Sequence, residues 1–469
     1  MKKTTMARTA AARMARAASW TAPLSLAAAA LAGPPPGAVR VTLGAPVPSD
    51  CLGTAVAVDG DRMVATIPWR LPPISTPGVL GMCAIFEKDG STWTQVAVVT
   101  SPATGDGFGS SVAIDGDVLL VGAPRWSAST ANLAAGRYHV FRRGGDGVWT
   151  QVAQGQGATR DALGCAVAAH QGHAIVGSRG YSGPAAGAGR VLFLSYTGDS
   201  VEPTGSITGG GLGNQSALGT SVALWGEWSA ASATPTGSTS GVVWMFRRAT
   251  DGVWSAEQQL VPPASFAGDG FGLALAMADD LVAVGAPAPG QVGAAADGAV
   301  HLYRLVQGVW QMEETLVAPD PAACAGFGTA VAVSDGQVVV GAAEVDPADP
   351  WSGGMFRFRK EGERWVLVGA SQGDQEAAYG TALASRGGTL VVAAPGATLQ
   401  ESVPNQGFVD IFTTLLPGDL NGDGVVNGLD LGILLAAWGP APPEGSPADL
   451  NGDGQVNGAD LAILIGAWS

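Results

Sequence analysis

The stretch GDGFGSSVAIDGDVLLVGAP, residues 105–124, with its continuation GRYHVFRRGGDGVWTQVAQGQG, residues 136–157, decides the fold. Ser111 to Ile114 alternates small or polar with apolar side chains, the pattern of a half-buried strand, and Asp115-Gly116-Asp117 supplies a turn. Val118 to Val121 is an unbroken aliphatic run, as expected of a strand covered on both faces. Gly122-Ala123-Pro124 opens a loop, Arg137 to Arg142 reads as a third strand, and Gly144-Gly145-Asp146-Gly147 turns the chain into a fourth, led by Trp149. The unit is four short strands.

Copies of this unit are counted by an aromatic or Leu followed by Gly: Leu52-Gly53, Phe108-Gly109, Leu163-Gly164, Leu218-Gly219, Phe271-Gly272, Phe327-Gly328 and Tyr379-Gly380. Successive glycines lie 56, 55, 55, 53, 56 and 52 residues apart. Trp93, Trp149, Trp254, Trp310 and Trp365 mark the start of the last strand in every four-strand copy but the third. Self-similarity at this period means radial blades or a solenoid. The ends favour blades. The seventh copy stops after a third strand at Gly407 to Phe412, and Val39 to Pro48 precedes the first anchor where a fourth strand belongs. A chain that lends its first strand to its last blade closes a ring and leaves no open sheet edge. The expected fold is all-β, a seven-bladed β-propeller over 39–416 closed by its N-terminal strand.

These residues resemble the FG-GAP repeats of integrin α-chain propellers. Phe108-Gly109 with Gly122-Ala123-Pro124, and Phe271-Gly272 with Gly285-Ala286-Pro287, carry the full signature. Tyr379-Gly380 with Ala393-Ala394-Pro395 and Phe327-Gly328 with Gly341-Ala342-Ala343 carry a worn one, and the other copies keep Leu-Gly alone. The resemblance implies adhesion or recognition. Integrin-like blades often hold a DxDxDG calcium loop after the second strand; here those loops read RWSASTANLAAG and APGQVGAAADG, so no propeller metal is expected, with Asp346 and Asp349 a faint exception.

Residues 1–32 hold Lys2, Lys3, Arg8, Arg13 and Arg16 without an acid, then an apolar run from Trp20 to Leu31 ending in Ala30-Leu31-Ala32. That order reads as a secretory signal, with a transit peptide or short anchor as the rival, and no later segment has the length of a spanning helix. Of 24 Lys and Arg these are five, and the remainder faces 39 Asp and Glu, a formal charge near −20 after export. Nucleic acid and anionic membrane want the opposite sign, so neither is an expected partner. Cys51 and Cys83 share the first blade and could pair, while Cys165 and Cys324 lie in different blades; four buried thiols are an equal alternative.

No catalytic residues are assigned. His139, His170, His173 and His301 are scattered, and HExxH and phosphate-cradling motifs are missing from the sequence. His170 and His173 read as solvated turn residues rather than a ligand pair. Asp106 and Asp269 recur inside GDGFG and are turn formers by that recurrence.

Residues 418–469 differ in kind. DLNGDGVVNGLD at 419–430 and DLNGDGQVNGAD at 449–460 repeat at an offset of 30 and follow an EF-hand-like calcium pattern with Asp at the final position. Calcium wants six to eight oxygens. The first loop offers Asp419, Asn421, Asp423, Asn427 and Asp430 with the Val425 carbonyl; the second offers Asp449, Asn451, Asp453, Asn457 and Asp460 with that of Gln455. Two bound ions are expected. Asn427 and Asn457 can also cap helices whose apolar residues, Leu431, Leu434, Leu435 and Trp438, and Leu461, Leu464, Ile465 and Trp468, form stripes able to bury against each other. With six Asp, Glu444 and no basic residue, the segment should fold only with metal.

The duplicated loop and helix is similar to type I dockerins, which plug secreted proteins into cohesins. Loop positions 10 and 11, often Ser or Thr there, are Gly428-Leu429 and Gly458-Ala459 here. The resemblance implies a cohesin-like or other cell-surface partner for the tail. The propeller would then recognise an extracellular protein or glycan. An extracellular polysaccharide-degrading enzyme, hydrolase or lyase, is the alternative; scarce histidine and repeat-locked aspartate favour recognition.

Overall fold

The computed structural model of the protein describes residues 38–468 except 45, 47, 69–79, 91, 128–132, 184–186, 213–216, 234–240, 263–269, 288–297, 320–325, 335, 343–351, 374–376, 400–403, 414–417, 419, 421–425, 441–445, 447 and 452–453. Residues 1–32, expected to be a secretory signal, and Cys324, Asp269, Asp346 and Asp349 fall outside that set.

Seven four-stranded antiparallel sheets follow one another along the chain, six of them in simple sequence order. Blade two is Ser111–Asp115, Val118–Ala123, Arg137–Arg143 and Trp149–Gln156. The seventh sheet takes its outer strand from the far end of the chain: Ala38–Val41 pairs with Phe408–Thr413, Val39 opposite Ile411 and Arg40 opposite Asp410. The ring closes as the sequence predicts, but the lent strand is four residues long and does not run to Pro48. Among the described residues no helix is long and apolar enough to cross a membrane.

The repeated anchor has a mechanical reading. Leu52, Phe108, Leu163, Leu218, Phe271, Phe327 and Tyr379 are each 2% exposed or less. Phe108 plugs the gap between blades one and two, packed in a cluster with Cys83 and Ile85 of one blade and Leu119 and Val121 of the next. The glycine that follows it, Gly109, sits at φ +91°, where an L side chain is strained, and its N–H donates to Gly122 O at 2.9 Å. Gly272 bonds Gly285 and Gly328 bonds Gly341 at the same distance. The two halves of the signature are therefore the ends of one hydrogen bond. A Cβ on Gly122 would lie 2.0 Å from the Gly164 carbonyl oxygen of the following blade, so the second half also sets how closely blades approach. Thr66, Ser232 and Ala393 accept the same bond in blades one, four and seven, which is why small residues replace glycine there.

The anchoring tryptophans of blades one, two, four, five and six are buried: Trp93, Trp149, Trp254, Trp310 and Trp365 are all under 9% exposed. Cys51, Cys83 and Cys165 are free thiols, so the conceivable Cys51–Cys83 bridge is not formed. Burial pushes the Cys83 thiol far up, as for an inert core residue.

His139 and His301 are not scattered in space. They hold one position in blades two and five, opposite Val121 and Val284, and pack on the anchor rings Phe108 and Phe271 at 5.3 and 5.5 Å. Burial lowers both pKa values, that of His301 to about 4. A histidine held neutral in the fold but protonated when unfolded makes the unfolded state bind more protons below the ordinary value near 6.5. Stability contributed at neutral pH is thus lost as pH falls from about 6.5 to 4, on the order of 2 kcal/mol for His301. Urea unfolding across that window is expected to fall less steeply for His301→Gln; an unchanged slope would remove His301 as the cause.

Candidate functional site

In the C-terminal module, helix α1 spans Gly428–Ala436 and helix α2 spans Gly458–Gly466. Asn427 and Asn457 are extended N-caps, each side chain accepting from the amide two residues on, Leu429 and Ala459, at 2.8 Å. The last acid of each loop completes a capping box. Asp430 accepts from Asn427 N at 2.9 Å and from Leu420 N at 2.8 Å. Asp460 accepts from Asn457 N at 2.8 Å, Leu450 N at 2.7 Å and Asn451 N at 3.1 Å. Both carboxylates are fully buried. They tie the start of the loop to the start of the helix, the acid three residues beyond each capping Asn holding a loop amide as well as the cap.

Of the proposed ligands, Asp419, Asn421, Asp423, Val425 and Asp453 lie outside the described residues. In the second loop, Asp449 folds back to accept from Gly454 N at 2.8 Å, so the loop already curls about its first acid. Oxygen-only donors, buried carboxylates and the lack of any Lys or Arg in residues 418–469 fit a hard dication. Asp449 and Asp460 would hold it with the Gln455 carbonyl, and the ion would supply the positive charge the segment lacks.

The two halves superpose residue on residue. Val426 and Val456, Leu434 and Leu464, with Ala448, form the buried core; Leu420 and Leu450, Leu431 and Leu461, Ala437 and Ala467 flank it in pairs 30 apart. One expectation fails. Leu435, Trp438, Ile465 and Trp468 are 52, 50, 56 and 47% exposed, and Leu429 is 66% exposed. Two nine-residue helices can cover only the narrow side that carries Leu434 and Leu464, so half of each apolar stripe faces water.

A second cluster stands at one mouth of the central channel, which the first strands of the seven blades line. Arg386 of blade seven reaches Asp59 of blade one and Asp115 of blade two, both at 3.1 Å, and its guanidinium stands 5.9 Å from the Trp225 ring of blade four. Asp115 also accepts from Tyr196 Oη at 2.5 Å and Gly172 N at 3.0 Å. His170 stacks on Trp225 at 4.2 Å and its Nδ1 accepts from Gly226 N. His170 is thus a buried staple at 3% exposure, not a solvated turn residue. The charges here are spent on one another, and the cluster ties the blades across the channel.

Residues 417–467 match the dockerin type I domain, and residues 93–141, 254–303 and 310–358 each match the FG-GAP repeat. The chain carries FG-GAP repeats in its seven-bladed propeller and a type I dockerin domain. No curated protein matches it in sequence. Solved structures similar to it include a protein from Lactobacillus plantarum (12% identity, 69% of this chain and 86% of that one, TM-score 0.44) and the periplasmic gluconolactonase PpgL of Pseudomonas aeruginosa (12%, 69% and 86%, 0.43). A third is a putative 6-phosphogluconolactonase of Bacteroides fragilis (10%, 69% and 85%, 0.42). Likenesses this distant carry no functional argument.

In this dockerin the loop positions 10 and 11, Gly428-Leu429 and Gly458-Ala459, are all exposed. They adjoin the uncovered side chains of α1 and α2, so the module presents an apolar surface with no charged residue on either helix beyond the buried Asp430 and Asp460. Among the FG-GAP blades, Asp106 accepts from Phe108 N at 3.0 Å, the turn-forming role its recurrence implies.

Proposed function

We propose that the protein is an exported recognition propeller held to a cohesin-like surface partner by its dockerin. Residues 1–32 direct export, 39–416 form the propeller and 418–469 the tether. Two calcium ions occupy the tail, one on Asp419, Asn421, Asp423, Val425, Asn427 and Asp430, the other on Asp449, Asn451, Asp453, Gln455, Asn457 and Asp460. The observation that carries this reading is the duplicated, capped loop-helix unit whose apolar side chains stay uncovered, since an exposed apolar surface of this kind marks a docking face.

Capture of the full-length protein on immobilised cohesin tests it. Retention in calcium, loss in chelator and loss in the Asp423→Ala, Asp453→Ala double variant are expected. Equal retention with and without calcium would contradict the tether, and sugar release abolished by one propeller carboxylate substitution would establish an enzyme instead.

A further inference from the structure

Opposite the last residue of strand two, strand three carries Met82, Arg137, Arg190, Val242, Ala299, Gly354 and Phe408 in blades one to seven. Only blades two and three place a guanidinium there. Arg137 lies 3.6 Å over the Trp126 ring, and Arg190 lies 4.3 Å over the Tyr181 ring. Both stations share one backbone frame. Trp126 N donates to Ala123 O and Tyr181 N to Ser178 O at 3.1 Å, and each ring-bearing residue accepts at 3.0 Å from the glycine just before the arginine, Gly136 or Gly189. Five of the seven blades fold without such a station, so closing the ring does not call for it.

The two stations form one surface. Arg160 N donates to Leu133 O and Ala162 N to Ala134 O, stitching blade three to the loop of blade two. Gly180 lies so near that a Cβ on it would fall 1.9 Å from Arg160 O. This brings exposed Arg125, Arg160 and Arg179 beside the half-buried Arg137 and Arg190. Two buried acids lie among them, Asp106 near Arg137 and Asp161 near Arg190, each 3% exposed and also accepting from Ser101 Oγ and Phe108 N, or from Ala158 N. The nearest approach of Arg190 to Asp161 is 3.9 Å. Five arginines thus gather on one face of a chain whose formal charge is −15.

The chemistry narrows the ligand. A planar guanidinium stacked on a ring is held flat for carboxylate or sulfate; Arg137 Nη1 and Nη2 each spend one hydrogen on Gln154 and Gln156 Oε1, at 3.3 and 3.2 Å, and keep the other for an anion. Both rings are already covered by arginine, so no open stacking platform is offered to nucleic acid bases. The strand that carries each stacked arginine is already paired on both sides, so it gives a peptide no strand edge to extend. We infer that this face of blades two and three binds an acidic polysaccharide, its carboxylate or sulfate groups seated on Arg137 and Arg190 and on the exposed arginines around them. The inference rests on the propeller being the recognition module.

Full-length protein in calcium is to be titrated with polygalacturonate, chondroitin sulfate, neutral dextran and poly-glutamate, with cohesin capture scored on the same samples. Binding to polygalacturonate or chondroitin sulfate, weakened by salt and absent for dextran, is expected; the arm that binds assigns the anion. The surface variant Arg160→Glu, Arg179→Glu is expected to weaken it at least about tenfold, and Arg137→Met, Arg190→Met likewise, with melting unchanged for the former. Binding to poly-glutamate alone, or glycan binding indifferent to Arg160→Glu, Arg179→Glu, would overturn the inference. So would failure to bind any anionic glycan by protein that still captures cohesin, while loss of capture with glycan binding intact would strike the tether alone.

Discussion

Replacing Arg40 with alanine is expected to destabilise the propeller by about 3–5 kcal/mol, the usual cost of leaving one member of a buried ion pair alone. Arg40 forks onto Asp410, Nε to Oδ1 at 2.7 Å and Nη2 to Oδ2 at 2.9 Å. Asp410 is fully buried, and the guanidinium also lies 3.6 Å over the Phe408 ring. Tyr379 stands close by, its phenol pushed well above the usual range by burial and by Asp410. The closing strand is four residues long, so this pair supplies much of what fixes its register, Arg40 directly opposite Asp410. Urea unfolding should show the loss for Arg40→Ala and a much smaller one for Arg40→Met with Asp410→Leu, which removes both charges together. Deleting Val39 to Pro48 goes further, leaving blade seven three strands and an open edge, and aggregation is expected. A deletion variant that sediments as a stable monomer, or an Arg40→Ala variant within about 1 kcal/mol of the parent, would show that closure does not depend on this latch.

The number of blades was legible because each copy repeats the same physical demand, a plug that must be large and apolar and a following backbone position that only glycine fits without strain. Phe108-Gly109 and Tyr379-Gly380 look alike in sequence for that reason. The partner site was less legible. What it needs is a carbonyl and room for the next blade, which Thr66, Ser232 and Ala393 meet as well as Gly122 does. The latch was invisible, since Arg40 and Asp410 are 370 residues apart and neither residue type recurs at its position in the other blades. So were the arginine stations, because periodicity counts strands and says nothing about which ring a guanidinium covers. In the tail, the spacing revealed the oxygen donors and the acid three residues beyond each capping Asn, but not that Asp430 and Asp460 also hold Leu420 N and Leu450 N. Helical periodicity placed the apolar side chains on one face without showing how much of that face a two-helix module can cover.

Removing calcium is expected to unfold the dockerin while leaving the blades intact. Its fully buried apolar core is five residues, Val426, Leu434, Ala448, Val456 and Leu464, too little for a segment of this length to fold on apolar burial alone. Against that core stand six aspartates and Glu444 with no basic residue. At a calcium concentration about 1,000 times the dissociation constant, each ion contributes about 4 kcal/mol by mass action. Hydrogen exchange on the full chain reads this directly: amides of α1 and α2 should lose protection by about three orders of magnitude in chelator, and those of Val118–Ala123 in blade two should not change. The caps refine the expectation. Asn457 serves only first-turn amides of its own helix, those of Ala459 and Asp460, whereas the Asp460 carboxylate holds three amides, two of them in the loop, and belongs to the acid set of that loop. Asp460→Ala should therefore expose α2 even in saturating calcium, and Asn457→Ala should lower its protection by only about tenfold, a capping loss near 1 kcal/mol. Protection in both helices that survives chelator would mean that the capping boxes and the small core suffice, and the metal would then have no part in the fold.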